Sequence, residues 1–290
     1  MTNPSPTISN IARHGPKKDW VTGVRGISKP IGITLYGFID GFSRKILGMY
    51  VHVADRNPEL LSVHFLKLVA STGGIPIHLT TGDGHKFQEM SQYQVQLNRR
   101  YGDITRGQPV KHVQQKVQAV WTRMLRDHRS AMDAVYKQVE HGKYNATDET
   151  QRFLFQFLWI PVFQSKLDSW VADYNASRTR IRPSPTIPTG CSPDFSYSTP
   201  EHFGASNHLI NVPKQEIELM LEGNHPAHFT LISTHTPAWF HEMATTIMQE
   251  MGLEFYELSL DSIWTVFDTM LPHIVTQLPL NSDFHISPAL

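Results

Sequence analysis

The chain has 290 residues, with 26 basic and 26 acidic side chains, 40% hydrophobic and 18% charged residues, a balance that suits one or two packed domains and excludes wholesale disorder. Cys191 is the only cysteine, which excludes an intramolecular disulfide or a cysteine-built zinc finger and fits a reducing intracellular setting, nuclear or cytoplasmic. No basic-then-apolar leader opens the sequence, and the most apolar run, Phe153 to Phe163, contains Gln156 and Pro161, so a buried helix is expected there and no membrane partner.

In chain order, residues 1–18 are rich in Pro, Ser and Asn and read as a disordered or strapped-on arm. Two β-rich runs, Gly32–Ile39 and Ile46–Val53, flank Asp40-Gly41, a dipeptide whose tolerance of positive φ favours a tight hairpin. A helix is expected from Pro58 to Ser71, where Leu60, Leu61, His64, Phe65, Leu68 and Val69 recur at helical spacing. Ile75–Thr80 reads as a buried strand. From Pro109 to Lys143 the pattern is helical, with Val113, Val117, Val120, Trp121, Met124, His128 and Met132 on one face. Lys116, Arg123, Arg126 and Arg129 fall on another face, a basic stripe that suits either solvent or a polyanion.

Leu167, Trp170, Val171 and Tyr174 form one more amphipathic face. Residues 178–204 hold Pro183, Pro185, Pro188, Pro193 and Pro200, which forbid a continuous helix and predict an extended strap on the core, anchored by Ile187 and Phe195. Residues 205–290 carry one base, Lys214, against ten acids, so this segment is at −9 and the remainder at +9. Helices are expected there at Pro237–Met251 and Asp261–Val275. Charge complementarity predicts that this segment folds back on the basic helix.

The sixteen histidines do not predict a metal site: His225/His228 and His235/His241 are the closest pairs, and neither has a third ligand at a familiar spacing. Gly73-Gly74 and Gly82-x-Gly84 lack the context of a phosphate loop or nucleophile elbow.

Four blocks remain. Asp19-Trp20-Val21-Thr22-Gly23 is followed by Ile39-Asp40-Gly41-Phe42-Ser43-Arg44-Lys45, and then Thr81-Gly82-Asp83-Gly84 ends a strand. Gln114-Gln115-Lys116-Val117-Gln118 leads to Trp121, and Leu167–Asn175 precedes Pro188-Thr189-Gly190-Cys191-Ser192-Pro193. In this order the blocks resemble the integrase core domains of eukaryotic transposons and their captured genomic copies, over residues 19–204. The resemblance implies an α/β fold: a ribonuclease H-like mixed sheet flanked by helices over residues 19–177, a Pro-rich strap over 178–204, and an acidic α-helical C-terminal extension over 205–290.

It also implies a strand carboxylate, a second after the later strand, and a helical Glu that together hold the metal. Here those positions fall on Gly23, Gly82 and Gln118, with Asp83 one residue late and Asp40 the turn acid of the hairpin. Phosphoryl transfer by two Mg²⁺ ions needs anionic oxygen ligands at these places. The expectation is therefore a catalytically inactive module with no cofactor, whose partner is DNA, RNA or a protein, with Lys116, Arg123, Arg126 and Arg129 as nucleic-acid contacts. The alternatives are an active Mg²⁺-dependent integrase with a rearranged acid set, such as Asp19, Asp83 and Asp127 or Glu140, and a decayed element remnant.

Overall fold

The computed structural model describes residues 15–27, 32–53, 57, 59–82, 84–103, 108–112, 118–182, 184 and 187–278. β1 (Asp19–Ile27), β2 (Ile33–Asp40) and β3 (Ile46–Val53) form an antiparallel meander, with Gly23 opposite Gly37. β1 also pairs in parallel with β5 (His78–Thr81), which pairs in parallel with β6 (Val110–His112), giving the order β3-β2-β1-β5-β6. Every residue of β2 is buried, so the sheet is covered on both faces and its alternation separates two cores.

Tyr36 and Phe38 join Trp20, helix α1 (Glu59–Thr72) and helix α2 (Gln88–Tyr101) on the first face. Ile33, Leu35 and Ile39 join α3 (Gln118–Asp127), α4 (Arg129–Glu140) and the long α5 (Glu149–Ala176) on the second. This is the mixed, helix-flanked sheet expected. The outer edge of β3 is closed by α5 side chains: Gln164 accepts from Val51 N (2.8 Å) and donates to Met49 O (2.9 Å), and Asn175 does the same for the N–H and C=O of Ile46 (both 2.9 Å). Two side-chain amides thus stand in for a neighbouring strand.

The acidic segment is helical and woven into both cores. Strand β7 (Ile210–Asn211) pairs with β4 (Gly74–Ile75), and α7 (Lys214–Asn224) sets Ile217, Met220 and Leu221 against the first face. After α8 (His228–Ser233), α9 (Ala238–Glu250) and α10 (Ile263–Gln277) place Phe240, Ala244, Ile247, Phe267, Met270 and Ile274 against α5 on the second. Each such side chain contributes about 1.5–3 kcal/mol by leaving water. Of its acids, Glu216 pairs with Arg100 of α2 and Glu218 with Lys214.

Several elements differ from the expectation. The helix expected over Pro109–Lys143 begins as strand β6, because Pro109 O accepts Leu79 N (2.8 Å) and lays Val110–His112 beside β5. It is then broken at His128, whose carbonyl caps the start of α4. The Ile75–Thr80 strand is split into β4 and β5 by Pro76 and Ile77. α5 runs for 28 residues straight through Pro161 from its N-cap Asp148, which accepts Gln151 N (2.8 Å). In the hairpin loop positive φ falls on Arg44 (63°), not on Asp40-Gly41. The strap is fastened by Phe203 on Phe42 (6.3 Å between rings), the Lys45–Asp194 ion pair (2.7 Å) and Arg44 Nη2 donating to Pro188 O (2.5 Å), while Phe195 stays 42% exposed.

Candidate functional site

Asp40 is fully buried at the end of β2, and its carboxylate organises the loop that follows. One oxygen accepts from Phe42 N (3.2 Å), Ser43 N (2.8 Å) and Ser43 Oγ (2.7 Å); the other accepts from Lys17 N (2.6 Å). Burial pushes this carboxyl above the ordinary carboxylate range, and the hydrogen bonds pull against that shift. Asp40 is thus a turn acid with both oxygens engaged by the chain around it. That geometry holds no metal.

Gly23 lies mid-strand in β1, and residues directly opposite in an antiparallel pair project on the same face. Its partner Gly37 faces the indole of Trp121 from α3: a Cβ on Gly37 would come within 2.8 Å of Cη2. Trp121 is itself buried, so the ring fills the space over Gly37. Gly82 follows β5, and continuing the β1·β5 register by two residues sets it beside Gly23. A Cβ there would meet Phe87 Cε2 at 3.2 Å, tight enough that the ring must give by a few tenths of an ångström. Gln118 opens α3 with an exposed side chain, and its carbonyl accepts Thr122 Oγ1 (2.9 Å).

Gly84 has φ 127°, ψ 158°, a region open essentially to glycine alone, which accounts for that residue in the strand-end block. Asp83 lies outside the described residues, as does Lys116. The three side chains aligned with the acid positions offer no carboxylate, so they do not fit a Mg²⁺ ion, which needs anionic oxygens. Among the described residues no three His, Cys, Asp or Glu groups gather to hold a metal. Asp19 pairs with Lys111 of β6 (3.7 Å), whereas Asp127, at the far end of α3 from Gln118, accepts from Trp170 Nε1 (3.1 Å). Glu140 closes α4 on the surface.

The three arginines of the stripe, Arg123, Arg126 and Arg129, stand on α3 and α4, exposed and paired within their own helices. Arg126 Nε lies 3.1 Å and Arg123 Nε 3.6 Å from Asp127, and Arg129 Nε lies 3.5 Å from Asp133. Burial raises the Asp127 carboxyl, but the Trp170, Arg126 and Arg123 contacts outweigh it and hold the group below its ordinary range. Exposed pairs of this kind are worth about 1 kcal/mol or less, so they do not lock the arginines away from another anion. The contacts of Trp121 with Gly37 and of Phe87 with Gly82 had no sequence signal, since each joins residues from different elements.

The family model for the integrase core domain matches residues 20–188. The chain belongs to the integrase core domain family. Among solved structures it is similar to the HTLV-2 integrase catalytic core domain in complex with magnesium, in trimeric form (14% identity, 63% of this chain and 97% of that one, TM-score 0.35) and dimeric form (14%, 64% and 98%, TM-score 0.35). It is also similar to the simian T-cell lymphotropic virus intasome in complex with PP2A regulatory subunit B56 gamma (14%, 70% and 61%, TM-score 0.35). No curated protein matches. No helix among the described residues is long and apolar enough to cross a membrane.

Proposed function

We propose that this integrase core domain is a non-catalytic module that binds nucleic acid through the sheet-and-helix scaffold its catalytic relatives use for chemistry. The observation that carries the reading is the composition of the aligned positions: Gly23 and Gly82 have no side chain, Gln118 has no charge, and Trp121 covers Gly37, the β2 partner of Gly23. A two-metal centre stabilises the attacking and leaving oxygens only through ions held by carboxylates. With three formal negative charges absent from one pocket, the scaffold keeps shape and basic surface without a means of phosphoryl transfer.

The test compares the parent chain with the triple variant Gly23→Asp/Gly82→Asp/Gln118→Glu. Millimolar Mg²⁺ should leave the parent Tm unchanged, because a ligand stabilises only by binding the native state. In the triple variant the acids should bring a saturable Mg²⁺-dependent rise, and each single substitution should bring little. Oligonucleotide nicking by the parent should stay at background. A saturable Mg²⁺ shift in the parent, or Mg²⁺-dependent cleavage that survives Gln118→Ala, would overturn the non-catalytic reading in favour of a rearranged acid set.

A further inference from the structure

We infer that the extended segment Arg178–Arg182, immediately after α5, is the principal phosphate-backbone contact of this module. The inference rests on the nucleic-acid reading above and adds to it a surface outside the basic stripe of α3 and α4. α5 ends at Ala176, and the chain then runs without helix, pinned at two points. Thr179 N and Oγ1 both donate to Cys191 O (2.9 Å each), and Thr179 Oγ1 accepts from Gly190 N (3.2 Å) and Arg44 Nη2 (3.5 Å). The Thr189 hydroxyl donates to Arg182 O (2.8 Å) and accepts from Arg182 N (3.4 Å). A ribbon fixed in this way gives up little conformational freedom on binding.

Its charge is of one sign. Arg178, Arg180 and Arg182 are all exposed, and the sequence has no acid between Asp173 and Asp194. Asp194 is taken by Lys45. Arg178 Nε and Nη2 donate to Gly190 O (3.1 and 3.0 Å), a neutral acceptor that orients the guanidinium without cancelling its charge. This sets the ribbon apart from the α3–α4 stripe, where Asp127 and Asp133 sit among the arginines. The two surfaces meet at Tyr174: the Arg123 guanidinium lies over its ring at 4.9 Å, one helical turn before Arg178.

The partner this surface fits is a uniform polyanion. In an extended chain alternate residues repeat every ~6.6 Å, so three planar guanidinium forks are offered to a strand whose phosphates recur at every nucleotide, whatever the base sequence. Acidic peptides and anionic lipid surfaces lack that regular repeat of phosphodiesters along one strand.

The experiment measures binding of the full chain to fluorescent duplex and single-stranded oligonucleotides over a salt series, for the parent, Arg180→Ala/Arg182→Ala, and the charge-matched control Lys137→Ala/Lys143→Ala. The arginine variant should melt like the parent, bind at least tenfold more weakly at low salt, and show a duplex log K against log salt slope shallower by about 1.8. The control should keep the parent slope. Unchanged binding by the arginine variant, or equal losses in both double variants, would remove the ribbon as the site while leaving the module's nucleic-acid reading standing. A parent that binds no oligonucleotide would defeat that reading itself. Equal affinity of the parent for polyglutamate or for phosphatidylserine vesicles would assign the ribbon to another class of partner and overturn the inference.

Discussion

Two places in the sheet, the Asp40 hairpin and the Gly23–Gly37 pair, differ in what stands against them. At the hairpin the Asp40 carboxylate receives hydrogen bonds from Lys17, Phe42 and Ser43, so the local chain path depends on it. In the sheet Gly23 stands opposite Gly37, and the Trp121 indole lies against Gly37. The backbone depends on a carboxylate at the one place and on a close ring contact at the other.

A third buried polar set sharpens this contrast by the largest expected effect. His52 on β3 and His64 on α1 meet through their Nε2 atoms (2.6 Å), and His64 stacks on Tyr50 (3.7 Å between rings). Burial pushes His52 down to about 2, aided by His64 and His235, and His64 down to about 3, aided by Lys67 and His235. Both folded values lie below the ordinary 6.5, so as pH falls below 6.5 the unfolded chain takes up protons that the folded chain refuses. Stability should therefore fall on acidification with a slope that approaches about 1.4 kcal/mol per pH unit for each ring, or about 3 kcal/mol in all between pH 6.5 and 5. Urea unfolding at both pH values should show the loss, and His52→Asn should flatten it; an identical pH slope in that variant would take His52 out of the account.

Asp40→Ala comes next. It strands three backbone N–H groups and the Ser43 hydroxyl without their acceptor, at a cost of about 3 kcal/mol in urea unfolding. A loss under 1 kcal/mol would mean that the strap contacts of Arg44, Lys45 and Phe42 hold the hairpin without the carboxylate, and the contrast with the glycine pair would collapse. Gly37→Ala should have the smallest effect of the three, about 1–3 kcal/mol, because its methyl group must displace the Trp121 ring in a filled core. A neutral result would show the indole free to move, leaving room for a side chain above β1.

Much of the sheet was legible because its signals are local. The Asp40 hairpin, the alternation of β2 and the helical spacing of Leu60, Leu61, Phe65 and Leu68 each lie within one short window. α2 was not expected although Met90, Tyr93, Gln94 and Leu97 recur at helical steps, because a Gln-rich sequence dilutes their contrast. β6 is three residues long and sits against a helical pattern, so only its pairing with β5 reveals it. The absence of acids at Gly23, Gly82 and Gln118 could be read directly; what fills the space could not, since Trp121 meets Gly37 only after α3 packs on the sheet. The −9 charge of the last segment suggested attraction to the basic helix. Its buried Ile217, Met220, Leu221, Phe240 and Phe267 determine where it goes, and charge says nothing of those.

That placement has a consequence for synthesis on the ribosome. Helices from the last part of the chain cover the helical layers, α7 packing on α1 and α9 with α10 on α5, so contacts that span long loops must close late and slowly. Until those helices emerge, the nascent chain leaves the outer apolar sides of α1 and α5 open to be shielded by a chaperone, and any product stopped after the strap would keep them bare and be a substrate for quality-control proteolysis.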